Sequence, residues 1–315
     1  MPSARRCLGD GRHKGSRVMR SSPFALGDES TYRLWRDAKL SHYPLRSADL
    51  LVELRNPASP TAAERAALLD RCRHCNMALY AGPVLREDAR AAMLALGECV
   101  GLRRLDANML ADDDGITPIT VMGDGVRARY IPYTDRPLAW HTDGYYNTPD
   151  RTVRGLLLYL AQDAAEGGGN ALLDPEIAYI VLRDEDPGLV AALMRADALT
   201  IPANAEPGMP PRPEVTGPVF TVEADGTLHM RFSARTRNVV WRDDPVVARA
   251  VALLNALLTG DSPYVLRHRM APGQGLLCNN VLHNRDGFRD SAEKKRLLLR
   301  ARYYDRVTAT GSTPG

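Results

Sequence analysis

From about Gly115 to Tyr304 the chain consists of short β-rich segments separated by Gly, Pro, Asn and Asp. These segments are "ITPITVM", "RARYIPY", "RGLLLYLA", "NALLD", "GPVFTVE", "LHMRFSA", "YVLRHRM", "GLLCNNV" and "RLLLRARYY". Many short strands with regular turn residues indicate an all-β sandwich or barrel rather than alternating βαβ units. Two helical patterns, "PEIAYIVLRDEDPGLVAALM" and "DPVVARAVALLNALL", interrupt the strands. We therefore expect a mainly β fold with helical additions.

The first hundred residues have a different pattern, which predicts helices around one or two strands. "SPTAAERAALLDRCRHCN" contains a cap residue, a proline near the first turn and apolar residues at helical spacing. "REDARAAMLALGECVG" is amphipathic and ends on glycine, and "MALYAG" between the two predicts a short buried strand. With 315 residues, 44% of them hydrophobic, the chain buries a sizeable core as one large domain or as a main domain with a helical extension.

The basic charge of the chain is concentrated at its start. The first twenty residues contain six basic side chains and one acidic side chain, so the remainder is slightly acidic and gives no general electrostatic case for nucleic acid. We expect a disordered basic tail over residues 1–25, or a true start at Met19, because no apolar stretch typical of a secretory signal is present. No run of about 18 apolar residues predicts a membrane span.

The cysteines bear on the compartment. Five of them are scattered along the chain, which argues against a disulfide framework and for a reducing compartment. We therefore expect a cytoplasmic protein.

The stretch "AWHTDGYYN" places His141 and Asp143 two residues apart. In an extended strand both side chains point to the same side, so an imidazole nitrogen and a carboxylate oxygen can reach one point. Alone this spacing is weak evidence, because an ordinary surface strand has it too. His283, between the apolar "GLLCNNVL" and a polar loop, is a candidate third ligand, although a single histidine here could equally be a packed residue. Together the three would form a facial triad with open positions on Fe(II), which mixed N and O ligands fit better than structural zinc.

The last β-rich segment carries Arg296 and Arg300, four residues apart with leucines between them. Both can project to one face of the sheet, where a buried guanidinium needs an anionic partner such as a carboxylate held through two hydrogen bonds. A metal with open positions beside a buried arginine suits a bidentate 2-oxo acid. The alternative is an arginine paired with an Asp or Glu of the protein.

Taken in order, these motifs resemble the Fe(II)/2-oxoglutarate-dependent dioxygenases of the taurine dioxygenase (TauD/TfdA-like) family. The resemblance extends from about Met77 to Tyr304 and rests on five segments. They are "MALYAGPVLREDARAAMLALGECVG", "WHTDGYYN", "EGGGNALLDPEIAYIVLRDEDPGLVAALM", "RHRMAPGQGLLCNNVLHNRDGF" and "RLLLRARYY". The resemblance implies a double-stranded β-helix, which is a distorted jelly roll, and an oxygenase that uses Fe(II), 2-oxoglutarate and O2.

Residue roles follow from this resemblance. It implies that His141, Asp143 and His283 bind the iron and serve as the catalytic centre, and that Arg296 binds the distal carboxylate of 2-oxoglutarate. Arg300 falls where some relatives place an arginine that meets an acidic substrate, and an intact Asp143 argues against the halogenating variants. The aromatic residues beside the metal motif are similar to those of gamma-butyrobetaine hydroxylases, where they meet a quaternary ammonium group. The substrate contacts that we expect are Arg300, Tyr145, Tyr146 and Asn147.

One position departs from the family pattern. After the Gly-Gly turn such enzymes often have a Thr or Ser that bonds the cosubstrate, whereas here Asn170 is followed by Ala171. We assign both residues to the cosubstrate site and expect the missing hydroxyl at Ala171 to affect the affinity for 2-oxoglutarate.

We thus expect one oxygenase domain over residues 26–315, with a helical portion at 26–110. A jelly-roll core would span 111–306, with helical insertions near 175–195 and 244–259. The expected function is oxygenation of a small anionic or zwitterionic metabolite by hydroxylation, desaturation or oxidative cleavage, with release of succinate and CO2. No nucleic-acid or membrane partner is expected, and relatives commonly form homo-oligomers. Two alternatives stay open, namely a cupin-like metal enzyme without 2-oxoglutarate and a catalytically silent small-molecule sensor.

Overall fold

The computed structural model describes residues 22–106, 112–205, 209–237 and 239–308, so most of the predicted basic tail lies outside the described residues. The helices are α1 (Glu29–Ser41), α2 (Ala62–Cys75), α3 (Ala89–Cys99), α4 (Pro175–Glu185), α5 (Pro187–Leu193) and α6 (Pro245–Thr259). The strands that precede α4 are β1 (Leu51–Glu53), β2 (Met77–Ala81), β3 (Ile116–Ile119), β4 (Leu138–His141), β5 (Gly155–Gln162), β6 (Glu166–Gly167) and β7 (Asn170–Leu173). The later strands are β8 (Leu199–Ile201), β9 (Val215–Gly217), β10 (Phe220–Val222), β11 (Leu228–Met230), β12 (Val240–Trp241), β13 (Leu266–His268), β14 (Gln274–Cys278), β15 (Leu282–Arg285), β16 (Phe288–Arg289) and β17 (Leu297–Tyr303).

The larger of the two main sheets has the strand order β1-β2-β14-β5-β17-β3. The strands of the N-terminal portion therefore extend the sheet that carries the arginines of β17. All pairs in this sheet are antiparallel except β1 with β2. Its alternating residues face opposite sides, which gives the sheet two apolar faces.

The smaller main sheet has the order β13-β7-β15-β4 and faces the larger one. Leu158 and Leu276 of the larger sheet and Leu172 and His283 of the smaller sheet line one narrow internal cavity. Two antiparallel sheets packed over a common core form the predicted jelly roll. The segment between β11 and β12 lies beside the end of β4, where Ser233 forms an isolated bridge with His141.

The helices cover the outside of this core. Helices α2 and α3 pack on the outer face of the larger sheet, where Leu68 and Leu96 belong to the same apolar cluster as Leu157 and Leu277. Helices α4, α5 and α6 join the apolar cluster between the sheets. Local sequence explains their starts: Thr61 and Glu64 form a capping box on α2. Helices α4 and α6 each begin with an Asp cap followed by proline.

One strand prediction is wrong. The segment "RARYIPY" forms two short 3-10 helices, Arg127–Arg129 and Ile131–Tyr133, instead of a strand. Pro132 has no N–H group to donate to a neighbouring strand and favours a turn. Among the residues that the structure describes, no helix is both long enough and apolar enough to cross a membrane.

Candidate active site

Three side chains converge at the edge of the smaller sheet. His141 ends β4 and lies opposite His283 of β15 in the antiparallel register, so their rings share a face and their centroids are 4.3 Å apart. Asp143 follows two residues later, with its Oδ1 3.3 Å from His141 Nε2 and 3.9 Å from His283 Nε2. One ligand atom from each of the three lies within 4.8 Å of the other two, and all three residues are buried.

The hydrogen bonds of the two histidines fit a metal site. His141 Nδ1 lies 2.8 Å from the Ala139 carbonyl, and His283 Nδ1 lies 2.9 Å from the Val281 carbonyl. A carbonyl oxygen can only accept, so each Nδ1 carries the proton and each Nε2 offers its lone pair to the centre. Burial, and then the neighbouring His141, lower the pKa of His283 to about 4, so this ring is neutral at physiological pH.

The carboxylate of Asp143 divides its two oxygens between the centre and an arginine. Oδ1 faces the histidines, and Oδ2 accepts a hydrogen bond of 2.9 Å from Arg300 Nη1. Burial raises the pKa of Asp143, but the neighbouring positive charges, Arg300 first, outweigh it and hold the pKa well below the usual value. Two imidazoles and one ionised carboxylate, without cysteine, are the ligand set of a non-haem Fe(II) centre.

The backbone around Asp143 is fixed by a buried amide. The N–H group of Asp143 donates to Asn280 Oδ1 at 2.7 Å, and Asn280 Nδ2 donates to the carbonyls of Asp143 and Val153 at 2.9 and 2.7 Å. Gly144 follows with a φ of 69°, where an added Cβ would lie 2.6 Å from Val153 Cγ2. The turn after the triad thus depends on an asparagine and a glycine.

Arg296 is buried beside the Gly-Gly turn, and its guanidinium forms no ion pair with a described residue. It is 3% exposed, its Cζ lies 5.4 Å from the centre of the Phe288 ring, and a Cβ built on Gly168 would lie 3.5 Å from its Nε. Its backbone N–H donates to Asp290, but its guanidinium has no acceptor among the described residues. Burial, and then Arg285, lower the pKa of Arg296 to about 10. A buried cation in this condition favours an anion from outside the chain.

The strand after the Gly-Gly turn presents Asn170, and not Ala171, to the interior. Asn170 lines the narrow cavity together with His283 and His268, whereas Ala171 pairs with Arg267 on the other face of β7. Asn170 Nδ2 donates to the Asn284 carbonyl at 2.7 Å, and its Oδ1 is buried without a partner. The side chain of Ala171, where the family pattern has a hydroxyl, therefore points away from the cavity.

The aromatic residues predicted as substrate contacts lie next to the triad. The Tyr145 ring is 6.4 Å from the His141 ring, and the Tyr146 ring packs edge-on against Tyr145 at 5.2 Å. The Asn147 amide instead donates to the Arg151 carbonyl at 2.8 Å. Both tyrosines thus lie at the site, while the Asn147 side chain forms a hydrogen bond within its own loop.

A family of known proteins matches most of the chain, including the three residues of the triad. The family model described as "Taurine catabolism dioxygenase TauD, TfdA family" matches residues 48–302. The chain belongs to the TauD/TfdA family. Enzymes of this family use Fe(II), 2-oxoglutarate and O2. The further similarity to gamma-butyrobetaine hydroxylases stays a prediction.

Two curated TauD/TfdA relatives are uridine-5'-phosphate dioxygenases. The one from Amycolatopsis sp is 31% identical over 178 residues, which are 54% of this chain and 62% of the relative. The one from Streptomyces sp is 29% identical over 195 residues, which are 60% of this chain and 69% of the relative. The match to the Amycolatopsis protein thus spans less than two thirds of that protein's length.

Solved structures with the same fold include an asparagine oxygenase in complex with Fe(II), 2S,3S-3-hydroxyasparagine and succinate. It superposes with a TM-score of 0.54 at 14% identity and covers 81% of this chain and 93% of its own. The non-heme iron oxygenase OrfP superposes with a TM-score of 0.56 at 13% identity, covering 78% of this chain and 82% of its own. At such identities the likeness concerns the fold, and it confirms the predicted jelly roll.

A buried ionic network that no sequence motif indicates lies beside the triad. Arg302 is 2% exposed and contacts Asp106, which is fully buried, and its Nη1 donates to the Tyr146 hydroxyl at 3.0 Å. Asp106 also accepts from Tyr304 and Arg151 at 2.8 and 2.9 Å. Strand alternation alone would have placed Arg302 on the same face as Arg300, but no local pattern identifies Asp106 as its partner.

Proposed function

We propose that this protein is an Fe(II)- and 2-oxoglutarate-dependent dioxygenase that hydroxylates a small anionic metabolite. The observation that carries the proposal is the convergence of the Nε2 atoms of His141 and His283 and the Oδ1 atom of Asp143 on one point. In the overall reaction, 2-oxoglutarate and O2 yield succinate and CO2, and one oxygen atom enters a C–H bond of the substrate.

His141, Asp143 and His283 would hold the iron, which supplies the activation of O2 when it is bound with 2-oxoglutarate. The protein contributes the ligand geometry: the carbonyls behind the histidines fix their tautomers, and Arg300 holds the outer oxygen of the carboxylate. Because the site is buried within the jelly roll, its residues also exclude bulk water from the reacting groups.

Arg296 would bind the distal carboxylate of 2-oxoglutarate. Its guanidinium is buried, has no acceptor among the described residues and presents donors in a fork that matches a carboxylate. Asn170 would lie along the cosubstrate, because its amide lines the same internal cavity as His283. We expect Ala171 to act only through the position of the β7 backbone.

The substrate would approach from the side of Tyr145 and Tyr146. Arg300 uses Nη1 for Asp143, and its Nε has no hydrogen-bond partner among the described residues, so it has donors left for an anionic group. Because two relatives are named for uridine-5'-phosphate, we propose a nucleoside monophosphate as the first substrate to test. Asn147 would contribute by shaping the loop.

The deciding experiment is an anaerobic titration with Fe(II) and 2-oxoglutarate, followed by visible absorption. Bidentate chelation should produce a weak metal-to-ligand charge-transfer band in the wild-type protein. We expect the band to be lost in His283→Ala and to need more 2-oxoglutarate in Arg296→Ala. Arg267→Ala is the matched control, because Arg267 is exposed and forms no ion pair with a described residue.

Other outcomes of this titration separate the alternatives. Iron binding without the band would favour a cupin-like metal enzyme that does not use 2-oxoglutarate. Failure to bind iron would favour a catalytically silent small-molecule sensor on the same fold.

The compartment and assembly are also proposals. A cytoplasmic location is supported by Cys72, Cys75, Cys99 and Cys278, which are all free thiols in the structure. Self-association, as expected from relatives, stays a prediction that light scattering of the purified protein would test.

A further inference from the structure

An open cavity of about 270 Å³ lies between the loop that follows the triad and the strands from β9 to β11. Asp143, Gly144 and Tyr145 form part of its lining, so the cavity adjoins the candidate metal centre. The opposite side includes Thr216, Thr221, Glu223, His229 and Arg231. Neither the triad nor the proposed cosubstrate site accounts for this space.

The charged side chains around the cavity already have partners within the protein. Arg154 donates two hydrogen bonds of 3.1 Å to the carboxylate of Glu223. Arg231 donates to the backbone carbonyls of Leu199, Val215 and Gly217. An anionic ligand would therefore compete with existing acceptors, whereas an uncharged polar ligand would not.

His229 is one of the polar side chains of this lining. It lies on β11 directly opposite Thr221 of β10, so the two side chains share a face. Its ring forms no hydrogen bond with any described residue. Burial, and then Arg154, Arg306 and Arg231, lower the pKa of His229 to about 3. The ring is thus neutral at physiological pH and offers one donor and one acceptor.

We infer that this cavity binds the uncharged, hydrogen-bonding part of the substrate, and that one ring nitrogen of His229 forms a hydrogen bond with a pyrimidine-type base. This inference rests on the proposed function, because it assumes a nucleoside monophosphate substrate. The phosphate would lie toward Arg300, and the base would lie between the Asp143 loop and β11. Uracil carries an imide N–H flanked by carbonyl groups, and the unprotonated nitrogen of a neutral imidazole can accept a hydrogen bond from that N–H.

The test compares two probes by isothermal titration calorimetry under anaerobic conditions, with and without Fe(II) and 2-oxoglutarate. The probes are uridine 5'-phosphate and ribose 5-phosphate, which differ by the base alone. We expect the wild-type protein to bind the nucleotide at least tenfold more tightly. His229→Phe should remove this preference without changing the affinity for ribose 5-phosphate. His229→Gln, which keeps a donor and an acceptor, should restore part of the preference.

Controls address folding and position. His42→Phe makes the same chemical change on the exposed end of α1 and should leave both affinities unchanged. If His229→Phe misfolds, which circular dichroism would show, Thr221→Val reports on the same face of the cavity and should lower only the nucleotide affinity.

Three results would overturn the inference: equal affinity of the wild type for the two probes, no binding of the nucleotide, or an unchanged preference in His229→Phe. The charge-transfer titration is scored separately. If the band forms but the affinity does not depend on the base, the proposed function stands and the base site is refuted. If the affinity depends on the base but no band forms, the base site stands and the proposed function is refuted.

Discussion

Arg300 Nη1 lies 2.9 Å from Asp143 Oδ2, on the side of the carboxylate that faces away from His141 and His283. This hydrogen bond leaves Oδ1 as the oxygen directed at the metal position. It also supplies the main charge that offsets the burial of Asp143. Arg300 is therefore placed to position a ligand, whether or not it also meets a substrate anion.

The first prediction concerns Arg300→Ala. Loss of the guanidinium should raise the pKa of Asp143 and weaken Fe(II) binding at neutral pH by about tenfold or more, as for other residues that support metal ligands. Because Asp143 would then be protonated at a higher pH, the release of Fe(II) on acidification should also occur at a higher pH than in the wild type. Anaerobic Fe(II) titrations from pH 5 to 8 would measure both effects. Equal affinities across this range would show that Asp143 does not need the arginine.

The second prediction concerns Asn280, which has a φ of 51° and donates to or accepts from Asp143 and Val153. Asn280→Gly should lose the side-chain hydrogen bonds but keep the backbone, at a cost of roughly 2 kcal/mol. Asn280→Ala should cost about 1 kcal/mol more, because a Cβ disfavours the left-handed region. Urea unfolding of the two variants would test this order, and an Ala variant more stable than the Gly variant would contradict it.

The clustering of the three candidate metal ligands follows from short-range spacing and strand pairing, both of which the sequence indicates. His141 and Asp143 are two residues apart, and His283 lies on the neighbouring strand. The sequence is a poorer guide to the positions of Arg296 and Arg300. The register shifts between Leu297 and Leu298, so Arg296 lies before β17 and the same-face argument from its spacing to Arg300 does not hold. A bulge depends on tertiary packing that a single sequence does not reveal.

Other features of the site could not be predicted because their partners are distant in the chain. Asp106 meets Arg302 across 196 residues, and Asn280 meets Asp143 across 137. His229 could not be predicted for a different reason. Only the fold shows that its ring faces a cavity and forms no hydrogen bond with a described residue. Asn170 and Ala171 are adjacent in β7, and in a strand that difference of one residue places their side chains on opposite faces.

The third prediction is a pH dependence of stability due to His229. The unfolded chain binds a proton on this residue below its ordinary pKa of 6.5, whereas the folded protein does not until about pH 3. Unfolding therefore takes up a proton in this window, and the free energy of unfolding falls as the pH is lowered from 6.5 toward 4. In His229→Gln the slope should be smaller by up to one proton. Urea unfolding at several pH values would measure the slope, and equal slopes would argue that the ring is already protonated in the folded state.

The last prediction concerns Asp106 and Arg302, whose side chains are almost completely buried. Asp106→Ala would leave the Arg302 guanidinium buried without its carboxylate, so the free energy of unfolding should fall by about 3–5 kcal/mol. Arg302 also donates to the Tyr146 hydroxyl, so the variant should bind uridine 5'-phosphate less tightly while the charge-transfer band persists. Arg104→Ala breaks an ion pair whose arginine is largely exposed and should cost less than about 1 kcal/mol. If Asp106→Ala costs no more than this control, the network contributes little to stability. If it abolishes the band, the network supports the metal centre itself rather than the adjoining substrate surface.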